Sequence, residues 1–399
     1  MTPQGKYRFD PWTGLLLAAV RRCPIGNVTV ITPSGETHEI KGTQPGPDAV
    51  MHLHSSAGAR GLILGGDLGL AEAYMDGHWS TPELATFLEW GARNLDALGS
   101  TAEGTFLSKT TARLLHLMRA NTRSGARRNI AAHYDLGNAF YEQWLDPSMT
   151  YSSAVYPDMS TSLEVAQQKK IERIGELLSP SPGMEILEIG AGWGAMAIHL
   201  ARNFGCKVVG LTLSTEQYNE ASRRAQAEGL GEKIEFRLQD YRDVPGQFDR
   251  VVSIEMIEAV GEANWPRYFS VINERLKSGG AAALQAITIA DERFDGYRQN
   301  ADFIQKYIFP GGMLPSPTAL RQHIEMAGMQ MAGEANFGEH YARTLAEWRQ
   351  RFLEKWDNIS PLGFDDRFRR MWNFYLTSCA ATFDSGNCDV TQITVRRPI

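Results

Sequence analysis

Two rhythms of apolar and polar positions divide this chain. In the first hundred residues the apolar runs are short. Val28-Thr29-Val30-Ile31 reads as a strand, Pro33-Ser34-Gly35 as turn chemistry and Thr37–Ile40 as a returning strand. Asp67–Met75 and Leu84–Asn94 have helical composition. Residues 1–100 are therefore expected to form a small α/β domain, and 101–130 a polar connector containing a helix, most basic over Thr105–Asn129.

From Met184 the pattern becomes strand, Gly-rich turn, helix, and repeats. Met184–Ile189 is an apolar run bounded by Gly183 and Gly190, and Ala195–Phe204 reads as a helix stopped by Gly205. Lys207–Leu213 is the next strand. Ser214-Thr215-Glu216-Gln217 is a capping box that opens a helix to Glu228, before Gly229. The strands Lys233–Leu238 and Asp249–Ile254, the helix Trp265–Leu276 and the strand Ala281–Ile289 follow. Upstream, Thr161 and Glu164 are expected to cap a helix whose Ile171, Ile174 and Leu178 share one face. Such alternation predicts right-handed crossovers and a mostly parallel, Rossmann-like α/β sheet with helices on both faces. A polar stretch after the fifth strand, Asp291–Gly338, is expected to form a helical cap over the substrate.

Between the first strand of this series and its helix lies Glu188-Ile189-Gly190-Ala191-Gly192-Trp193-Gly194. Glycines here let the backbone turn tightly and approach a ligand. The dinucleotide fingerprint has a wider final spacing and an acid about 20 residues later. The second strand here ends in Thr212-Leu213-Ser214, with no acid, and no Gly-Lys-Ser/Thr supports a phosphate loop. A carboxylate before Gly-x-Gly-x-Gly resembles the first motif of class I methyltransferases. That resemblance sets Glu188, Gly190, Gly192 and Gly194 near the amino-acid part of S-adenosylmethionine, and Gln239-Asp240-Tyr241 near its adenine.

Composition narrows the rest. At 399 residues, 43% hydrophobic and 22% charged, the chain suits two ordinary globular domains. The net charge of −6 argues against a nucleic-acid partner. Arg127, Arg128, Arg369 and Arg370 read as solvated helix faces, with anionic lipid headgroups as the alternative partner. Cys23, Cys206, Cys379 and Cys388 have no metal-ligand spacing, so neither a metal nor a disulfide framework is expected, and a cytoplasmic setting fits. The apolar run Leu15–Val20 is too short to span a bilayer, which leaves peripheral contact at the inner membrane face.

Several segments together resemble the cyclopropane fatty acid synthases and their mycolic acid relatives. They are His133–Asn138, Met149-Thr150-Tyr151-Ser152-Ser153, the glycine loop, Val209–Ser214 and Gln239–Arg242. The last are Glu258-Ala259-Val260-Gly261, Tyr307–Gly312 and His340–Leu345. The resemblance implies that Tyr151, Ser152, Thr212, Leu213, Gln217, Asp240 and Tyr241 line the cofactor site with the loop glycines. It also implies a bicarbonate ion as base, held at positions that here read Ser153, Glu258, Gln285, Ile287 and Tyr341. Two of these depart from the family's pattern, Ser153 standing for Cys and Gln285 for His. A homodimer is a further expectation of the family.

The chemistry so implied is one-carbon transfer to the double bond of an unsaturated phospholipid acyl chain. An isolated alkene is a weak nucleophile, so alignment and exclusion of water matter most. Attack leaves a carbocation, which aromatic faces stabilise by roughly 0.5–2 kcal/mol each. Tyr134, Tyr151, Phe309 and Tyr341 are the candidates, and core packing is the alternative for each. Loss of a proton then closes a cyclopropane ring, with Glu258, Tyr341 and Tyr134 as the expected catalytic residues. A methylene- or methyl-branched product, made with a partner reductase, remains open at this point. So do a small soluble acceptor and a lipid-binding protein with a vestigial cofactor fold.

Overall fold

The strand at the centre of the main sheet is buried on both faces, as a parallel strand between two helical layers must be. In the strand Glu185–Ile189 every residue after the first is buried. The computed structural model describes residues 10–99, 136–158, 160–299 and 302–399. The expected connector and Tyr134 lie outside them.

The first sheet is formed by β1 (Ile25–Ile31), β2 (Thr37–Lys41), β3 (Gln44–Leu53) and β4 (Trp79–Ser80), in the order β2-β1-β3-β4. β1 and β2 form the expected hairpin, with Val28 opposite Ile40. β3 lies parallel to β1 and was not anticipated. Its opening residues Gln44-Pro45-Gly46-Pro47 carry turn chemistry, which hides the strand that follows. Helices α1 (Pro11–Val20), α2 (Ser56–Met75) and α3 (Leu84–Arg93) cover this sheet. α2 begins eleven residues before the helical stretch read from the sequence and is kinked at Gly66.

The second sheet has seven strands in the order β10-β11-β9-β8-β5-β6-β7. They are β5 (Glu185–Ile189), β6 (Lys207–Thr212), β7 (Ile234–Leu238), β8 (Phe248–Ile254), β9 (Leu276–Ile289), β10 (Gln330–Asn336) and β11 (Cys388–Arg396). β5 to β9 are mutually parallel, whereas β11 runs antiparallel to β9 and β10. The chain builds outward from β5 to β7, then returns to place β8 on the other side of β5. That reversal is the topological switch point, where open α/β sheets bind ligands beyond the strands' carboxyl ends.

Helices α4 (Leu163–Leu178), α5 (Ala195–Asn203), α6 (Thr215–Ala227) and α7 (Trp265–Arg275) make the crossovers and layers. Half of the expected capping box forms: Gln217 N–H donates to Ser214 Oγ at 3.3 Å, while Ser214 N–H turns to Thr212 Oγ1 and the Gln217 side chain accepts from that same hydroxyl. The cap of α4 is Ser162 rather than Thr161, accepting from Val165 N–H, because Thr161 is instead tied to Asp158 at 3.1 Å.

The stretch 291–338 is more divided than a single cap. α8 (Asp291–Gln299) and one π-helical turn at Ile304–Ile308 follow β9. α9 (Pro317–Met326) packs on α7, with Trp265 and His323 ring centroids 5.7 Å apart, and β10 is part of the sheet. Two long helices that the sequence reading left unassigned, α10 (Gly338–Glu354) and α11 (Asp366–Asp384), complete the cover. Trp348 from α10 and Trp372 from α11 are fully buried against Trp144 and Phe140, in a core that continues into the first sheet through Trp79 and Phe87.

Candidate active site

The carboxyl end of β5 delivers Glu188 into the interior and then turns through the glycine loop. Glu188 is 3% exposed, and its Oε2 has no hydrogen-bond partner. Burial pushes its carboxyl up to about 8, against the pull of the nearby Lys170 charge. Gly190, Gly192 and Gly194 have φ of +85°, +52° and +88°, a region side chains rarely adopt. The N–H groups of Gly190 and Ala191 donate to Leu211 O at 3.1 and 2.8 Å, which fixes the loop against β6.

The end of β6 supplies the next wall. Thr212 Oγ1 donates to Gln217 Oε1 at 2.8 Å and accepts from Ser214 N–H at 3.1 Å, so strand end and helix start hold one another. Leu213, Gln239 and Tyr241 line the same cleft, which encloses about 920 Å³ including its open mouth. Tyr241 is buried, which raises its hydroxyl to about 12. Asp240 is placed differently from expectation. Its carboxylate receives the Arg242 guanidinium at 2.8 and 2.6 Å, and it does not line the cleft.

Tyr151 and Ser152 line the same cleft. The Tyr151 hydroxyl is 2.7 Å from that of Tyr375 on α11, and its ring packs on Trp348 with centroids 5.2 Å apart. Ser152 Oγ accepts from Lys170 Nζ at 2.7 Å. Lys170 is 1% exposed. Burial lowers its ammonium to about 8, while Glu255, Asp146 and Glu188 pull it back up. Lys170 is the residue that sequence reasoning passed over on this side, because it looks like any helical lysine. Its position four residues before Ile174, on the buried face of α4, is the signal.

These residues fit S-adenosylmethionine. The unpartnered Glu188 oxygen suits the cofactor's ammonium, the loop has no Cβ to obstruct a close approach, and Thr212, Gln217 and Tyr241 offer polar and aromatic surface beside it. When bound, the cofactor supplies an electrophilic methyl group.

Beyond the cleft lies a second group centred on a residue the sequence reading did not single out. Glu255, one residue past β8, has φ +50° although it is not glycine. Its Oε1 accepts from Ser153 N–H at 2.8 Å and from Gln285 Nε2 at 2.7 Å, and its Oε2 accepts from the Tyr341 hydroxyl at 3.1 Å. Burial raises its pKa, opposed by these donors and by Lys170, with the Ser153 N–H foremost among them. Glu258 stands one helical turn on, its Oε1 accepting from Ile287 N–H at 2.5 Å and its Oε2 buried without a partner. Burial, and then the Glu255 charge, raise its pKa to about 8.

The structure thus brings together all five residues expected to hold bicarbonate, but their donors are committed. Ser153 Oγ donates to Ala154 O at 3.1 Å, and the second Gln285 Nε2 proton points to Ser153 O at 3.3 Å. Gln285 Oε1 accepts from Gln392 Nε2 at 2.9 Å. The remaining donors serve Glu255 and Glu258. With Glu255 in their midst, the Ser153, Gln285 and Tyr341 donors are not open to an additional anion.

Aromatic side chains surround this region. Tyr341 and Phe383 have centroids 4.8 Å apart, Tyr151 and Phe309 6.5 Å, and Phe309 and Tyr375 6.2 Å. Phe309 follows the π-helical turn, where Lys306 Nζ and the Tyr307 hydroxyl both bond Glu72 of α2. No cluster of potential metal ligands occurs among the described residues, and no helix among them is long and apolar enough to cross a membrane.

The strand order, the switch-point glycine loop and the buried acid before it define a class I S-adenosylmethionine-dependent methyltransferase. Residues 121–393 match the mycolic acid cyclopropane synthetase family, and the chain belongs to it. It is 41% identical over 373 residues to tuberculostearic acid methyltransferase of Mycobacterium tuberculosis, spanning 88% of this chain and 82% of the relative. It is 40% identical over 337 residues to cyclopropane-fatty-acyl-phospholipid synthase of Escherichia coli, spanning 84% of each. A crystal structure of a mycolic acid cyclopropane synthase complexed with SAH and CTAB superposes with a TM-score of 0.64 at 30% identity, covering 68% of this chain and 98% of that one. The fold class, the family and S-adenosylmethionine-dependent methyl transfer expected from the sequence are borne out.

Proposed function

We propose that this enzyme transfers a one-carbon unit to the double bond of an unsaturated phospholipid acyl chain, through a carbocation, and closes a cyclopropane ring. The observation that carries the reading is the junction at Glu255. This residue lines the cofactor cleft and also takes hydrogen bonds from Ser153, Gln285 and Tyr341. A carboxylate is thereby held where the methyl group arrives.

The surrounding residues suit each demand of the reaction. The wall made by Tyr151, Trp348 and Phe309 excludes water and offers ring faces to a cation, each worth about 0.5–2 kcal/mol. Tyr341 presents its hydroxyl to Glu255 and its ring to the same space. Glu258, unpaired at Oε2 and pushed up to about 8 by burial and then by the Glu255 charge, acts as a proton donor or a polar brace.

A second reading has a specific support. The match to a tuberculostearic acid methyltransferase is as extensive as the match to the cyclopropane synthase. A hydride shift before proton loss from the same carbon gives a methylene branch, which a partner reductase saturates. Contact with the membrane is peripheral in either reading, and a homodimer is the expected assembly.

The test is incubation of the purified protein with S-adenosylmethionine and monounsaturated phospholipid vesicles, followed by mass and proton NMR analysis of the acyl chains. A gain of one CH2 with upfield ring protons supports cyclopropanation. The same gain with new exomethylene signals replaces it by the branched reading, and no gain rejects both.

A further inference from the structure

We infer that the Glu255 carboxylate is a built-in anion that takes the place of bicarbonate in this site and itself receives the proton from the transferred methyl group. The inference rests on the reaction proposed above.

Three observations carry it. First, Glu255 has already collected the donors that an anion would need. Its two oxygens accept from a backbone N–H, a side-chain amide and a phenol at 2.7 to 3.1 Å. Ser153, Gln285 and Tyr341 are three of the five positions implied for bicarbonate. Of the other two, Ile287 gives its N–H to Glu258 Oε1. An amide N–H or a phenol proton serves one strong acceptor at a time, so the donors held by Glu255 are not open to a second anion.

Second, the backbone is held in a costly conformation to put the carboxylate there. A non-glycine residue at φ +50° carries strain of order 1–3 kcal/mol, and such strain persists only where the surroundings enforce it. The Glu255 N–H donates to Gln285 O at 2.7 Å, so the same glutamine fixes both the backbone and the side chain. Third, a free anion placed beside the Glu255 carboxylate adds a like charge next to a buried group, which is unfavourable without a further cation. The buried ammonium of Lys170 already has Glu255, Glu188 and Asp146 as neighbours.

The step balances without any recruited ion. A C–H bond of the transferred methyl breaks, and its electron pair forms the second ring bond to the cationic carbon. The proton passes to a Glu255 oxygen. The neutral acid then releases it to solvent through the cleft, which Glu255 lines. In the branched outcome the same electron pair forms the methylene double bond, and the proton takes the same route.

The experiment compares the full-length wild type in buffer purged of carbon dioxide with the same buffer after addition of bicarbonate. Carbon-13-labelled bicarbonate is followed separately by NMR for binding to the protein without substrate. The expected result is wild-type turnover independent of bicarbonate and no labelled bicarbonate bound. Glu255→Gly relieves the strained φ and vacates the donors. It is expected to lose turnover by about 10²-fold or more in purged buffer, to bind labelled bicarbonate, and to regain activity when bicarbonate is added. Glu255→Gln, which keeps the side-chain shape, is expected to lose turnover without rescue. Wild-type turnover that falls on purging and returns with bicarbonate overturns the inference, as does labelled bicarbonate bound to the wild type. These two measurements need no variant to fold. If the wild type makes no lipid product at all, the proposed reaction fails, while the labelled-bicarbonate spectra still decide what occupies the anion site.

Discussion

Met256 lies directly against the glycine loop: a Cβ built on Gly190 would stand 2.4 Å from both Met256 Cγ and Sδ. The two residues come from the ends of β8 and β5, the strands that flank the switch point. Gly190→Ala therefore combines a steric clash with an L-residue at φ +85°. The expected outcome is at least a tenfold loss of S-adenosylmethionine affinity, on the order of 1–2 kcal/mol or more, measured by titration calorimetry on the folded variant.

Tyr341 touches Glu255 only through its hydroxyl, at 3.1 Å. Tyr341→Phe keeps the ring beside Phe383 and removes that donor. One hydrogen bond to a charged group is worth about 1.5–3 kcal/mol, so kcat is expected to fall roughly 10–100-fold while cofactor affinity stays unchanged. Steady-state rates and a binding isotherm on the same preparation check both halves.

Glu258 makes a pH-dependent demand on stability. Its carboxyl rises from 4.5 to about 8 on folding, chiefly by burial. Between those values the folded protein binds a proton that the unfolded chain has released. Stability therefore declines as pH rises through this window and levels off above about 8. Glu258→Gln lacks the titration and keeps an oxygen for the Ile287 N–H. Its melting temperature is expected to exceed that of wild type by more at the alkaline end of the window than at the acid end. The difference is of order a few kcal/mol, and scanning calorimetry at both ends reads it.

Lys170 is surrounded by Glu255, Glu188 and Asp146 and bonds Ser152 Oγ. Lys170→Met removes the positive charge that opposes the upward shifts of Glu255 and Glu188. Both carboxyls then hold their protons to higher pH. The acid limb of the kcat profile is expected to move to more alkaline values, with cofactor binding weakened near neutrality. A pH–rate series beside wild type, with calorimetric cofactor titrations, is the measurement.

Where the sequence pattern and the local chemistry agree, the fold could be read in advance. The β5 run ends in glycines, and the Ser214 cap opens α6 as its spacing requires. β10 escaped because it is mostly exposed and interrupted by Gly333. β11, Cys388–Arg396, is buried between two antiparallel neighbours, yet its interior Thr391 and Gln392 break the apolar run. At the site, Thr212, Gln217 and Tyr341 sit in recognisable motifs, and their placement followed. Glu255 did not, because an acid after a strand reads as a solvated strand end. Its meaning comes from register: Ile254 pairs with Gln285 across β8 and β9, which carries the next residue to the amide. That pairing links positions about thirty apart and leaves no mark in either segment alone.

The left-handed backbone at position 255 has an evolutionary corollary. Glycine is the residue that this conformation suits, and glycine there would free the three donors now bound to the carboxylate. In the genetic code, glutamate and glycine differ by one base at the middle of the codon. The distance between an enzyme that carries its own proton acceptor and one that must borrow an anion from dissolved carbon dioxide is then a single transition mutation.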